Sequence, residues 1–129
     1  MEENTIHING SNQEVFDRTI EHFTKQKRRA SENGMCRYRT YDGLKCAVGC
    51  HVSDEEYSSV IEGHSISTLT NQICGVPVKT ECDINLTSEL QNTHDCCVNL
   101  SDLKDRLLSI ADRYNLYSSK IDLITEWRP

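Results

Sequence analysis

Met35-Cys36-Arg37-Tyr38-Arg39-Thr40-Tyr41-Asp42-Gly43-Leu44-Lys45-Cys46-Ala47-Val48-Gly49-Cys50-His51 sets two short apolar stretches on either side of a turn. Cys36, Tyr38 and Thr40 alternate with Arg37 and Arg39, which predicts a strand with its arginines on one face. Tyr41-Asp42-Gly43 predicts the turn, because Asp-Gly supplies the positive φ angles that tight turns need. Leu44 to Val52 reads either as a return strand or as a short buried helix, and Gly49 costs stability in both. In the helical reading Cys46 and Cys50 share one face. This hairpin decides the class. The remaining periodicity is helical, so the chain is expected to be α+β: a mostly helical single domain over 1–129 with a small hairpin or short sheet.

Before the hairpin, Thr5-Ile6-His7-Ile8 predicts a first strand ended by Asn9-Gly10. Ser11 and Glu14 form a capping-box pattern. Behind it Phe16, Ile20, Phe23, Lys27 and Ala30 recur at helical spacing, which predicts a helix of about five turns ending near Asn33-Gly34. After the hairpin, Ser53 and Glu56 repeat the capping pattern and predict a short helix from Asp54 to about Val60, broken at Glu62-Gly63. Ser65 or Ser67 opens another through Leu69 and Ile73, stopped by Gly75 and Pro77. Thr87 begins a helix through Leu90, His94 and Cys97. Ser101 caps the next, with Leu103, Leu107, Ile110, Ala111 and Tyr114 as its apolar stripe. A last turn around Ile121 and Ile124 is expected to pack back on the body.

The formal charge is -6. Phosphate backbones are bound by clustered Lys and Arg, so the surface as a whole is not expected to bind nucleic acid. The charge is uneven, however. Residues 25–45 carry Lys25, Lys27, Arg28, Arg29, Arg37, Arg39 and Lys45 against only Glu32 and Asp42. A basic patch on an acidic body suits an anionic ligand or an acidic protein surface. A solvated helix end, favoured by the macrodipole, is the stronger account of it. The N-terminus carries Glu2 and Glu3 and lacks the apolar core of a signal peptide, and no segment approaches the ~20 apolar residues of a membrane span. A cytosolic setting with reduced thiols is expected. The odd number of cysteines, 7, also fits no complete disulfide framework.

Three kinds of chemistry follow from these residues. A structural zinc usually takes close pairs such as C-x2-C. The spacings here are Cys36-x9-Cys46-x3-Cys50, Cys74-x7-Cys82 and Cys96-Cys97, so no metal or other cofactor is expected, although Cys36, Cys46 and Cys50 with His51 or His94 could surround an ion after folding. A thiol at a helix start is acidified by the dipole and a nearby His can take its proton. Cys46 with His94 and Asp95 supplies those parts, and Cys36 could stand in for Cys46. Buried thiols packed as small apolar groups are the competing account. Finally, Arg37, Arg39, Tyr41 and Lys45 form a basic, aromatic-bearing binding patch. It could receive a nucleotide or other anion, or serve as an interface hot spot, where Tyr and Arg are enriched. Tyr38 is better placed than Tyr41 to pack into the hairpin core. Asp54, Glu55, Glu56 and Glu62 read as an acidic helix start rather than a cation site.

Cys36-x-Tyr38-Arg39, Gly43-x-Lys45-Cys46-Ala47-Val48-Gly49, Asp54-Glu55-x-Tyr57 and Glu62-Gly63 resemble the pattern of a family of small proteins from tailed phages and prophages. Leu90-Gln91-x-x-His94-Asp95 and the helix from Leu103 to Tyr114 look like that family's C-terminal half. The resemblance covers most of residues 13–117. One departure is His51-Val52-Ser53-Asp54, where the family usually carries a Leu-Ile-Pro-Asp-like run; the missing proline leaves the helix start to Ser53. The resemblance implies a phage origin and a host-cytoplasm setting, and it carries over no catalytic residues. The expectation is therefore an accessory protein that binds a host protein in takeover or anti-defence. A small Cys/His-dependent enzyme and a binder of a nucleotide or other small anion are the alternatives.

Overall fold

The computed structural model describes residues 5–70 and 76–129. The chain opens with strand β1 (Ile6–Ile8), whose alternate side chains Ile6 and Ile8 are buried. Ser11 then caps helix α1 (Asn12–Gln26) as its spacing predicts: its hydroxyl accepts from the Glu14 N–H, and the Glu14 carboxylate accepts from the Ser11 N–H at 2.9 Å. Val15, Phe16, Thr19, Ile20 and Phe23 form the buried face.

Helix α1 stops well short of Asn33-Gly34. Lys27 turns left-handed at φ 65, its N–H still reaching the Phe23 carbonyl, and Arg28 pairs in a bridge with Arg128 near the C-terminus. Asn33-Gly34 instead forms the two-residue turn between β2 (Ser31–Glu32) and β3 (Met35–Cys36), an antiparallel pair. Both turn residues have positive φ, 53 and 79, the combination that matches the twist of a tight hairpin. The same dipeptide that ends helices also makes hairpins, and here the second role wins.

The Tyr41-Asp42-Gly43 turn is present, with Gly43 at φ 92 and Arg39 bridged to Lys45 on either side. The stretch from Leu44 to Val52 resolves as an extended entry followed by a 3-10 turn over Gly49–His51. Gly49 is required there: a Cβ at this position would lie 2.1 Å from the Tyr38 carbonyl oxygen. The helix expected from Asp54 is reduced to a single turn, in which Ser53 accepts from the Glu56 N–H. Ser58 is extended at φ -141, and a separate 3-10 helix spans Ser59–Ile61. Helix α2 (Ile66–Thr70) follows, with Ser65 accepting from the Thr68 N–H. The Ile73 and Gly75 part of that expectation lies outside the described residues.

Strand β4 (Val78–Thr80) pairs in parallel with β1, register Ile6 to Val78. Nothing local in the sequence marks this pairing. Helix α3 (Ile84–Cys96) starts earlier than Thr87, capped by Asp83, and α4 (Leu100–Arg113) is capped by Asn99 rather than Ser101. The Asn99 side chain accepts from the Asp102 N–H at 2.8 Å. Helices α3 and α4 pack together, and the tail returns through a 3-10 helix over Ser119–Leu123 that buries Ile121. Ile124 and Trp127 complete the closure, the Trp127 ring 5.0 Å from Phe23. The class is α+β.

Candidate functional site

Helix α3 carries two stripes. Leu86, Thr87, Leu90, Thr93 and His94 are buried in the core, whereas Ser88, Gln91, Asn92 and Asp95, spaced i, i+3, i+4 and i+7, line a cleft. The opposite wall is Met35, Cys36, Arg37 and Tyr38, and the segment Glu62–Ile66 closes one end. The cleft encloses about 560 Å³, within the range of small-ligand and side-chain pockets.

Glu62 sets the shape of the opposite wall. Its carboxylate accepts from the N–H groups of Tyr38 (2.9 Å) and Arg39 (3.1 Å) and from the Tyr57 hydroxyl (2.6 Å). Tyr38 is buried and donates its hydroxyl to the His64 carbonyl at 2.5 Å. Together these contacts tie the turn at 62–64 to the strand that carries Cys36 and Arg37.

The two arginines of the basic patch are engaged by carboxylates. Arg37 Nε lies 3.2 Å from Glu32 Oε1, and its guanidinium is 3.9 Å from Glu62. Arg39 donates to Asp54 at 2.7 Å and to the Val52 carbonyl at 2.6 Å, with its guanidinium 4.6 Å above the Tyr57 ring. Asp54, read as part of an acidic helix start, is thus a partner of Arg39. Lys45 is half-buried, and its backbone is held by Gln26 and His22. Tyr41 differs from all of these. Its side chain is 98% exposed while its N–H is fixed on Glu32 at 2.5 Å.

The cysteine that meets His94 and Asp95 is Cys36. Its sulfur, a ring nitrogen of His94 and a carboxylate oxygen of Asp95 all lie within 4.8 Å of one another. Cys46 is fully buried, where its sulfur accepts from the Gly49 N–H at 3.2 Å, and burial pushes its thiol strongly upward. Burial also pushes Cys50 up to about 12. Cys36 rises to about 11, first through burial and then through the charge and hydrogen bond of Asp95. These thiols are protonated at neutral pH, and the thiolate is the nucleophile.

The imidazole of His94 is fixed in one form. The Ala30 N–H points at Nε2 from 3.0 Å, so Nε2 is the acceptor and the proton sits on Nδ1, 2.7 Å from Asp95 Oδ1. Phe23 stacks on the ring at 6.0 Å and Trp127 meets it edge-on at 5.9 Å. Gln91 donates to the same Asp95 oxygen at 2.9 Å and accepts from the Val48 N–H. Burial alone would raise the Asp95 pKa, but the hydrogen bond and charge interaction of His94, followed by hydrogen bonds from Gln91 and Cys36, outweigh it and hold the carboxyl below its ordinary value. The carboxylate therefore stands between thiol and imidazole, the reverse of a nucleophile-base-orienter order. Cys36, His94 and Asp95 are also the one group of metal-ligand type among the described residues. A metal on Nδ1 would demand a proton on Nε2, directly facing the Ala30 N–H, so the set fits a hydrogen-bonded network and not a metal centre. His51, the other ligand considered, donates to Thr19 Oγ1 at 2.8 Å, since the Thr19 proton is given to the Val15 carbonyl.

No known protein family, curated protein or solved structure matches the chain. Among the described residues no helix is long and apolar enough to cross a membrane. Sequence reasoning singled out His94, Asp95 and Cys36 but missed Glu62 and Gln91 as organisers. The polar stripe from Ser88 to Asp95 is the signal that would have found the cleft.

Proposed function

We propose that this chain is a phage-encoded accessory protein that acts in the host cytoplasm by binding a host protein, for takeover or anti-defence. The observation that carries the reading is Tyr41: an aromatic side chain 98% exposed on a backbone fixed by Glu32. Met35, 67% exposed, sits opposite Glu32 in the hairpin and lines the cleft. Large exposed side chains on backbone that is already held by pairing and hydrogen bonds are what interface hot spots use, because less backbone entropy is lost on docking. The resemblance to phage proteins supplies the host setting. The enzyme alternative has less support, since Cys36 and Cys46 are held as thiols. The small-anion alternative has less as well, since Arg37 and Arg39 already face Glu32, Glu62 and Asp54.

Affinity capture from lysate of the bacterium that carries the gene, at low salt, tests the reading. The intact chain retains a specific protein, the double variant Met35→Ala/Tyr41→Ala releases it, and Tyr117→Ala, an exposed tyrosine elsewhere, retains it. Equal retention by all three, or by none, contradicts the reading.

A further inference from the structure

The charges around the cleft are not balanced. Among its lining residues the formal charges are Arg37, Glu62 and Asp95. Glu62 is consumed by two backbone N–H groups and the Tyr57 hydroxyl, and Arg37 lies between Glu32 and Glu62. Among the described residues no Lys or Arg is paired with Asp95. Its donors are the His94 Nδ1–H, the Gln91 amide and the Cys36 thiol. Arg29, whose charge reaches Cys36, donates to the carbonyls of His94 and Cys97. Asp95 thus keeps its full negative charge, a third of its side chain open (33%), in a half-enclosed space.

We propose that this cleft receives the guanidinium of an arginine side chain presented by the bound protein, with Asp95 as its counter-ion. The inference rests on the binding function proposed above and names the chemistry of the partner. Several features favour this occupant. An anion attracts a cation more strongly in a partly desolvated cleft than in water. Guanidinium is more weakly hydrated than ammonium and so enters such a site at lower cost. Its remaining N–H groups need acceptors, and the side-chain oxygens of Ser88 and Asn92 lie on the same stripe of α3 as Asp95. Met35 and Cys36 offer an apolar flank for the methylene stem. The volume of about 560 Å³ admits the whole side chain.

The test uses the purified full chain and Nα-acetyl-L-arginine amide, followed by backbone amide shifts in NMR, with the neutral isostere Nα-acetyl-L-citrulline amide in parallel. Arginine amide is expected to shift the amides of Cys36, Asn92 and Asp95 saturably. Citrulline amide is expected to bind about tenfold more weakly, the difference between a charge-assisted and a neutral hydrogen bond. Asp95→Asn should remove that preference. Because Asp95 also holds His94 and Gln91, a second variant, Asn92→Lys, places a cation at an exposed position of the cleft without touching that network, and it should abolish binding with the fold intact. Equal binding of the two amides, shifts scattered over the acidic surface, or indifference to Asn92→Lys would overturn the proposal. The titration needs no host protein, so its failure leaves the capture result standing, and failed capture leaves the titration interpretable.

Discussion

At the scale of single residues, Glu62 and His51 each tie a specific contact to stability. Glu62 satisfies two backbone N–H groups and the Tyr57 hydroxyl from a side chain that is only 10% exposed. Truncating it leaves partly buried donors without acceptors, so Glu62→Ala is expected to cost about 2–4 kcal/mol by chemical denaturation. A loss below about 0.5 kcal/mol, the range of a neutral surface change, would show that the clamp is not structural. His51 is held neutral by burial, its pKa lowered from 6.5 to about 4. Between those values the unfolded chain binds a proton that the folded chain does not. Stability from this group is therefore fully present above pH 6.5 and is lost as pH falls toward 4, by roughly 3 kcal/mol. Burial lowers His22 as well and acts in the same direction. Denaturation midpoints at pH 7 and pH 4.5 check the sign: the intact chain should weaken steeply on acidification, and His51→Gln should flatten that slope.

At the scale of elements, what the sequence discloses is what local chemistry determines. The capping box of Ser11 and Glu14, the apolar face of α1 through Phe16, Ile20 and Phe23, and the stripe of α4 need only neighbours within a few positions and are found where their spacing puts them, although Lys27 and Ala30 fall beyond the end of α1. The elements that escape such reading are set at long range. Strands β1 and β4 pair across some seventy positions, and beyond the left-handed Lys27 that ends α1 the chain bridges from Arg28 to Arg128. Asn33-Gly34, expected to end α1, instead turns the hairpin that pairs Ser31 with Cys36. The same limit applies to the site. His94 and Asp95 stand out in the sequence because they are adjacent titratable residues. That Cys36 joins them and Cys46 does not depends on how the hairpin lies against α3. The C-terminal segment is the element most exposed to a single change. Trp127 covers both Phe23 and His94, so Trp127→Ala is expected to cost about 3 kcal/mol, read from the thermal or denaturant midpoint. A shift near zero would mean that the tail is not part of the core.

At the scale of the whole molecule, an acidic body presents two features: exposed side chains at Met35 and Tyr41, whose backbones both meet Glu32, and a cleft between the Met35–Tyr38 segment and α3 that carries Asp95. Arg37 and Arg39 are already paired with carboxylates, and burial and Asp95 push the Cys36 thiol up. The net charge of -6 also favours encounter with a basic partner surface. The most direct measurement of this binding account is site-specific photo-crosslinking in the host cell, with the reactive side chain placed at position 41 and, separately, at position 117. The account predicts that position 41 captures one host protein reproducibly and that position 117 does not capture it. The same protein crosslinked equally from both positions, or no protein from position 41, would contradict it.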